Sequence, residues 1–243
     1  SWCLLQPGRE PGSLADLVLL PGFMCDQDLW TDMVPDLESL GPLHYGNVYQ
    51  DDTLEGMARR VLDAAPARFV LIGFSMGGFV ARVLTLMAPG RVSGVAFVAS
   101  SARGYSDEET ARRKAGHRPG DRPPRAVGAV STAMGLHPDR EKDPVLLDRL
   151  RGMQRRLGPE VRKRQAALVR RDGYADLERI ACPALVVACR QDRLRSFAET
   201  ERMAKHLPRA RFEVIEDCGH MAPLERPREL AGLLRDWIRR EAS

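Results

Sequence analysis

The sequence predicts an α/β fold in which a mostly parallel, twisted sheet is flanked by helices and carries an inserted helical lid. Two observations support this fold class. Short apolar runs typical of buried strands alternate with amphipathic segments up to residue 102, and the alternation resumes at residue 176. Between these parts only helices and loops are indicated. We therefore predict a core formed by residues 1–102 and 176–243 and a lid formed by residues 103–175.

The first part of the core alternates strands with helices. Leu17–Leu20 is fully apolar and is followed by a Pro-Gly pair, as expected of a buried parallel strand. Apolar residues at helical spacing predict a helix over 28–40, and Asp52 is placed to cap a helix over 54–62. The remaining elements predicted here are strands at 43–49, 69–72 and 92–99 and a helix over Met76–Met87.

The second part of the core repeats this pattern. Strands are predicted at 184–188 and 212–215, and helices over Phe197–His206 and 228–239. Strands that alternate with helices indicate parallel pairing through right-handed crossovers.

The lid region lacks strand signals. Ser106 and Glu109 have the spacing of a capping box, which predicts the start of a helix. The proline-rich stretch 117–124 predicts a loop. A further helical spacing is shown by Val127, Val130 and Met134.

A long helical stretch is predicted in the second half of the lid. Asp143-Pro144 predicts the start of a helix that Gly158-Pro159 ends, and residues 160–171 predict one more. Open α/β sheets bind ligands at the carboxyl ends of their strands, so we expect the lid to cover that edge.

The most informative motif is the Gly-Phe-Ser-Met-Gly of residues 73–77, which lies between an apolar strand and an amphipathic helix. This is the sequence form of a nucleophile elbow, a turn so sharp that the serine side chain projects from the sheet edge. The turn needs small residues two before and two after Ser75, and both are glycine. Met76 begins the helix, so its unpaired N–H is available to an oxyanion. The alternative is a glycine-rich strand-to-helix turn with no catalytic role.

A serine hydroxyl needs a base, and the base needs an orienting carboxylate. His220 follows the last predicted strand, which places it at the same sheet edge as Ser75. Asp192 follows the preceding strand, and the order Ser-Asp-His suits this architecture. Asp217, close to His220 in sequence, is the rival acid. The alternatives are a structural histidine and a loop aspartate that caps the next helix or pairs with a neighbouring arginine.

A second oxyanion donor is expected after the first strand. Gly22 allows the backbone to approach a substrate closely, and the N–H of Phe23 is the first candidate, with Met24 next. Otherwise this segment is a plain turn at the strand end. Apolar side chains near these positions are candidates to line the substrate pocket, namely Phe23, Met24, Phe74, Met76, Met134 and Met221.

These segments resemble the α/β-hydrolase family over nearly the whole chain. The resemblance is carried by residues 20–23 (Leu-Pro-Gly-Phe), 73–78 (Gly-Phe-Ser-Met-Gly-Gly), 191–192 (Gln-Asp) and 217–220 (Asp-Cys-Gly-His). Within the family the chain is similar to small, lid-bearing, cofactor-free carboxylesterases, in the style of pimeloyl–carrier-protein methyl ester esterases and enol-lactonases. The resemblance implies an eight-stranded sheet in which only the second strand is antiparallel.

The sequence departs from the family pattern in three places. Pro21 stands where many members have histidine, which is tolerated because the backbone supplies the hydrogen bond. After Asp192, Arg195-Ser196 replaces the usual Thr-Pro. The segment before Leu17 is short and broken by proline and glycine, so the first hairpin is expected to be abbreviated.

Together the motifs indicate a serine hydrolase that cleaves carboxylic esters through an acyl-enzyme intermediate. Ser75 is the expected nucleophile, His220 its base and Asp192 the partner of the base, with Phe23 and Met76 as oxyanion donors. No metal or cofactor is expected, because no His, Cys or carboxylate cluster has ligand spacing. The same triad serves lactones, thioesters, carbon–carbon bonds and acyl transfer, and a slow-turnover ligand receptor is an alternative of a different class.

The composition is that of an ordinary globular protein, 44% hydrophobic and 29% charged. Neither an apolar run of membrane-spanning length nor an export signal is present, although a chain that begins with Ser1 rather than Met makes the missing signal weak evidence. The five cysteines are an odd number without a Cys-x-x-Cys pair. Free thiols in a reducing cytoplasm are therefore predicted.

Charge is distributed unevenly. Residues 103–175 hold 18 Lys/Arg against 10 Asp/Glu, while the rest of the chain holds 19 against 23. The favoured interpretation is an arginine-rich, solvated helical surface. The alternative is a basic rim that attracts an anionic small-molecule ester or an acyl group on an acidic carrier protein. Nucleic acid is not an expected partner, because aromatic residues are not interleaved with the basic ones.

Overall fold

A computed structural model describes residues 14–109, 111 and 132–242 of the chain. Within these residues six strands form one sheet in the order β2-β1-β3-β4-β5-β6, and every neighbouring pair is parallel. The strands are β1 Leu17–Leu20, β2 Leu43–Tyr45, β3 Phe69–Phe74, β4 Val92–Val98, β5 Ala184–Cys189 and β6 Ala210–Ile215.

Helices connect these strands and cover both faces of the sheet. They are α1 Val34–Glu38, α2 Leu54–Ala64, α3 Met76–Met87, α4 Pro144–Ala166, α5 Tyr174–Leu177, α6 Phe197–His206, α7 Ala222–Glu225 and α8 Pro227–Trp237. Short 3₁₀ turns lie at Gln27–Met33 and Pro138–Arg140, and a π-helical turn, Ile238–Ala242, continues α8. Within the described ranges, no helix has both the length and the apolar character needed to cross a membrane.

The core consists of two apolar layers separated by the sheet. Leu17 and Leu19 of β1 belong to the layer that contains Trp30 and Trp237, while Val18 and Leu20 belong to the layer under α2, α3 and α6. Successive strand residues point to opposite faces, so a strand buried on both sides must be apolar at every position. All six residues of β3 are buried, and this central strand leads directly into the serine turn.

The predicted alternation is confirmed, with differences at element ends. The helix predicted over 28–40 is a 3₁₀ turn followed by α1, because Pro35 in the first turn of α1 has no N–H to continue an earlier helix. The strand predicted at 43–49 ends at Tyr45, and Asn47 then forms a side-chain turn by accepting from the Tyr49 N–H at 3.2 Å. The short helices α5 and α7 were not predicted.

The cap of α2 is Thr53, so the assignment of Asp52 to that role is wrong. Thr53 has extended backbone angles, and its hydroxyl accepts from the Gly56 N–H at 3.0 Å. The predicted start of the helix at residue 54 is nevertheless correct, and only the capping residue differs.

The described residues between 103 and 175 show the predicted capping box and the predicted start and break of a long helix, but the last helix ends earlier. Ser106 and Glu109 form the capping box, with reciprocal hydrogen bonds of 2.8 and 3.1 Å. Asp143 caps α4, and Gly158, at φ 75°, interrupts that helix at the predicted break. The last predicted helix ends at Ala166 rather than 171.

Several predictions fall on residues that the structure does not describe. The loop at 117–124 and the helical positions Val127 and Val130 lie outside the described residues, and so does the segment before Leu14 in which the first hairpin is expected. The family resemblance implies eight strands, and the described part of the chain contains six, all of them parallel to their neighbours.

Replacing Thr53 with alanine is expected to lower the free energy of unfolding by about 1 kcal/mol, because the helix loses its side-chain cap. Urea denaturation of Thr53→Ala and of the matched variant Asp52→Ala checks this. Asp52→Ala should have a clearly smaller effect, and equal losses in the two variants would contradict the assignment of the cap.

Candidate active site

Ser75 occupies the turn between β3 and α3 in a strained conformation. Its backbone angles are φ 51° and ψ −112°, a region that side-chain-bearing residues rarely adopt. The turn is possible because α3 starts against the first strand: a Cβ on Gly77 would lie 2.3 Å from the Leu20 carbonyl oxygen. The Ser75 carbonyl accepts from the Ser100 hydroxyl at 2.8 Å, which helps to hold the turn.

The structure brings Ser75, His220 and Asp192 into one hydrogen-bonded chain. His220 Nε2 lies 2.8 Å from Ser75 Oγ, and His220 Nδ1 lies 2.7 Å from Asp192 Oδ2. The other carboxylate oxygen of Asp192 accepts from two backbone N–H groups at 2.8 Å, those of Leu194 and Arg195. An ionised carboxylate can only accept, so Nδ1 carries the ring proton and Nε2 is the acceptor for the serine hydroxyl.

The side chains of His220 and Asp192 are buried away from solvent. The His220 and Asp192 side chains are only 6% and 2% exposed. Phe74 packs against the imidazole, with ring centroids 5.2 Å apart. Low solvent access strengthens the interaction between the imidazole and the carboxylate and fixes the orientation of the ring.

Asp217, the rival acid, is engaged in a different cluster. Its carboxylate is more than half exposed and pairs with Arg226, with Arg140 at 3.4 Å and with His137 at 3.3 Å. The other described histidines also have acidic partners away from Ser75, since His44 pairs with Asp16 and His206 with Glu178. His117 lies outside the described residues.

Glu225 braces the loop that carries His220, a role that sequence reasoning missed. Its side chain is fully buried, and it accepts from the backbone N–H groups of Gly219 at 3.1 Å and His137 at 2.9 Å. It also pairs with Arg140 at 2.9 Å. A glutamate in a short helix carries no local signal for such a role, because its partners come from distant segments.

The segment after β1 lies beside the serine turn. A Cβ on Gly22 would be 2.9 Å from the Phe74 ring and 3.3 Å from Ser75 Cβ, so glycine permits this close approach. Among the described residues, no hydrogen-bond acceptor is found for the backbone N–H of Phe23 or Met76. The N–H of Met24, the second candidate donor, is used, because it donates to Gln165 Oε1 at 2.8 Å.

Gln165 joins α4 to residues 21–24, which contain the candidate oxyanion donor Phe23 and are called the oxyanion segment below. It is buried, and besides accepting from Met24 it donates to the Val48 carbonyl at 3.2 Å. Met24 has a positive φ of 54°, so the bond holds the segment in a conformation that it would not prefer alone. Sequence analysis missed Gln165, since one glutamine in a polar helix gives no pattern.

A cavity of about 540 Å³ opens above Ser75 and His220. Phe23, Met24 and Met221 line it as predicted, whereas Phe74, Met76 and Met134 are not among its lining residues. Phe74 is buried behind His220, because it precedes Ser75 at the end of a strand and faces the core, and Met134 is 37% exposed. The polar lining residues, none of which was named individually in the sequence analysis, include Arg103, Glu109, Gln154, Arg162, Gln165, Arg170 and Arg195.

Cys25 also lines the cavity but is not an alternative nucleophile. Burial, together with the nearby charge of Asp26, raises the pKa of its thiol to about 12, so the reactive thiolate is scarce at neutral pH. Across residues 14–109 and 132–242, no group of three or more His, Cys, Asp or Glu side chains is arranged to hold a metal ion.

Comparison with known proteins places this geometry in a family. Residues 17–233 match the profile of the Alpha/beta hydrolase family. The chain belongs to this family. It is an α/β hydrolase, and its relatives include esterases and lipases. Such proteins are enzymes with hydrolase activity, which agrees with a buried serine–histidine–aspartate chain beneath a cavity.

Three similar proteins illustrate the range within the family. The pimeloyl-[acyl-carrier protein] methyl ester esterase of Aromatoleum aromaticum is 28% identical over 255 residues, which cover 92% of this hydrolase and 98% of that protein. A thermophilic esterase from Thermogutta terrifontis, solved with malate bound, has a TM-score of 0.81 at 26% identity and covers 96% of this chain and 92% of its own. The enol-lactonase from Burkholderia xenovorans LB400 has a TM-score of 0.80, with coverage of 96% and 94%; its 21% identity supports the fold alone.

Asp192→Asn is expected to lower kcat for ester hydrolysis by about 10⁴-fold, because an amide no longer enforces the reactive tautomer of His220. Asp217→Asn is the matched control and should change kcat little, since Asp217 does not contact His220. Steady-state kinetics of both variants distinguish the two acids, and a larger loss in Asp217→Asn would reverse the assignment.

Gln165→Met keeps the volume of the side chain but removes its bonds to Met24 and Val48. We expect kcat to fall by about 10-fold with little change in KM, because the oxyanion segment is held less firmly. The control is Gln154→Met on the same helix, which bonds Thr132 and Arg162 rather than the oxyanion segment. If both variants alter only KM, Gln165 does not position the oxyanion donors.

Proposed function

We propose that the chain is a carboxylic-ester hydrolase that uses Ser75, His220 and Asp192 as its catalytic triad. The observation that carries this proposal is the unbroken hydrogen-bonded chain from Asp192 through His220 to Ser75, ending at the floor of a cavity. The strained conformation of Ser75 adds support, since strain of this kind concentrates at functional sites.

The first half-reaction forms an acyl-enzyme. Ser75 Oγ attacks the ester carbonyl carbon while its proton moves to His220 Nε2, and Asp192 stabilises the imidazolium that results. The N–H groups of Phe23 and Met76 receive the oxyanion of the tetrahedral intermediate, which is typically worth about 3 kcal/mol per donor. His220 then gives its proton to the leaving alcohol, and the carbon–oxygen bond to that alcohol breaks.

The second half-reaction releases the acid. Water attacks the carbonyl carbon of the acyl-enzyme, and His220 takes a proton from that water molecule. A second tetrahedral intermediate forms at the same oxyanion site. When it collapses, the proton returns to Ser75 Oγ and the free carboxylic acid leaves, so the enzyme is restored without any external reactant besides water.

We also propose that the 103–175 insert acts as a lid over this site. Side chains of α4 line the cavity, and Gln165 reaches the oxyanion segment. Arg156 pairs with Asp26 at 2.7 Å, and Arg149 pairs with Asp28 and Asp32, so two arginines of α4 form ion pairs with the 3₁₀ turn after β1 and its capping residue. The names of the relatives, esterases and lipases, agree with an ester substrate. The cytoplasmic location remains a prediction from the cysteine pattern.

An acyl group on an acidic carrier is the second candidate substrate, supported by the carrier-linked ester in the name of the Aromatoleum relative and by the basic excess of the insert. The ion pairs of Arg149 and Arg156 with the core reduce the positive charge left for such a partner. Charge reversal at the exposed Arg155 should raise KM for a carrier-linked ester but not for a free one if the carrier binds here.

Hydrolysis of p-nitrophenyl esters from acetate to decanoate tests the proposed function. We expect turnover with a chain-length optimum set by the cavity, and loss of at least about 10⁴-fold in kcat in Ser75→Ala. Thermal unfolding of Ser75→Ala should match that of the parent protein, because the side chain is small.

Two results would contradict this proposal. Near-parental turnover in Ser75→Ala would exclude Ser75 as the nucleophile. No turnover of any ester together with no organophosphate labelling of Ser75 would favour the ligand-receptor alternative. Labelling without turnover would instead indicate an active nucleophile with a narrow natural substrate.

A further inference from the structure

The polar wall of the cavity is strongly cationic. Four arginines line it, namely Arg103, Arg162, Arg170 and Arg195, against one acidic residue, Glu109. Small-molecule sites are typically apolar and contain only a few precisely placed polar groups. What these arginines can bind depends on how the charges of three of them, Arg103, Arg162 and Arg195, are compensated.

The charge of Arg103 is compensated within the protein. Its guanidinium donates to both oxygens of Glu109 at 2.8 Å and to Glu199 at 3.0 Å. The hydrogen bond from Arg103 lowers the pKa of Glu109 to about 2, so this carboxylate stays ionised at working pH. Glu109 is thus bound to Arg103 and makes no ion pair with Arg162 or Arg195.

Arg195 and Arg162 have only neutral hydrogen-bond partners among the described residues. Arg195 Nη1 donates to the Leu194 carbonyl at 3.0 Å, and its Nε is buried without a partner. Arg162 donates to the Gln154 side-chain oxygen at 3.1 Å and lies 5.6 Å from the ring of Phe23. In the part of the chain that the structure describes, neither guanidinium forms an ion pair.

The two arginines approach the reaction centre from different elements. Arg195 follows Asp192 in the acid loop and donates its backbone N–H to the triad carboxylate, while Arg162 extends from α4 toward Phe23. Both line the cavity that contains Ser75 and His220. A substrate group bound between them would lie in the same cavity as the ester carbonyl.

We propose that Arg195, assisted by Arg162, forms a carboxylate-binding subsite, so that the substrate is an ester that carries a second, ionised acid group. This inference rests on the proposed esterase function. A partly buried guanidinium without an anionic partner loses hydration, and a substrate carboxylate restores its electrostatic and hydrogen-bonding partners. The same charges disfavour a cationic substrate and give no advantage to a neutral one.

A matched pair of substrates tests the subsite. Monomethyl esters of dicarboxylic acids from succinate to suberate place the carboxylate on the acyl side, and methyl alkanoates of equal chain length are the neutral partners. Acyloxy-carboxylates place the charge on the alcohol side, with alkyl butanoates as their neutral partners. The readout is kcat/KM from acid or methanol release, and we expect one of the two anionic series to exceed its neutral series by about 10-fold or more.

Substitutions in the loop after β5 test whether Arg195 binds the substrate carboxylate. Arg195→Gln should lower the ratio of kcat/KM for the preferred anionic ester to kcat/KM for its neutral partner by about 10- to 100-fold. Arg195→Lys should retain part of the preference because it keeps the charge. Arg193→Gln, two residues away and paired with Glu141 at 2.8 Å, removes the same charge outside the cavity and should not change the preference.

A binding measurement separates this inference from the proposed function. Calorimetric titration of Ser75→Ala with the same ester pairs needs no turnover, and the anionic ester should bind more tightly in a manner that Arg195→Gln removes. Equal affinity for both esters, or equal losses for both in Arg195→Gln, would overturn the subsite while leaving the esterase proposal intact. Selective anion binding without any turnover would support the subsite and contradict the esterase proposal.

Discussion

The structure depends on one backbone constraint, the left-handed conformation of Ser75 at the junction of β3 and α3. Strain of about 1–3 kcal/mol persists only when the surroundings leave no alternative. Here the central strand is buried on both faces, α3 begins against the carbonyl groups that follow β1, and Ser100 holds the Ser75 carbonyl. The same crowding that enforces the strain also fixes where the serine hydroxyl points, so catalytic geometry and core packing have a common origin.

The residues of the proposed triad follow the ends of parallel strands, whereas much of the cavity around them is formed by residues 103–175. Asp192 and His220 follow β5 and β6, and their positions relative to Ser75 are set by strand register. More than half of the residues that line the cavity, by contrast, belong to the 103–175 insert, whose helix α4 is joined to the core by Gln165 and by arginine–aspartate pairs. The reactive residues can therefore stay the same while substitutions in the insert change which substrates fit the cavity.

Local patterns in the sequence were sufficient for much of the fold and for the three hydrogen-bonded side chains of Ser75, His220 and Asp192. Strands buried on both faces read as apolar runs, and a turn that demands glycines two residues either side of a serine is visible in five letters. Contacts between distant segments were not predictable: Gln165 and Met24 are 141 positions apart, and Glu225 and His137 are 88 apart. Phe74 was misplaced because adjacency to Ser75 in sequence does not mean that both side chains face the same space.

The hydrogen bond from Met24 to Gln165 makes the insert and the oxyanion segment one mechanical unit. If α4 swings outward to admit a substrate, it takes with it the acceptor that holds Met24 at a positive φ, and the neighbouring Phe23 amide is released from its fixed direction. The substrate then cannot enter at the same time as the tetrahedral intermediate is stabilised. If the proposed lid opens in this way, the site is inactive while α4 is displaced and becomes active when α4 closes and bulk water is excluded.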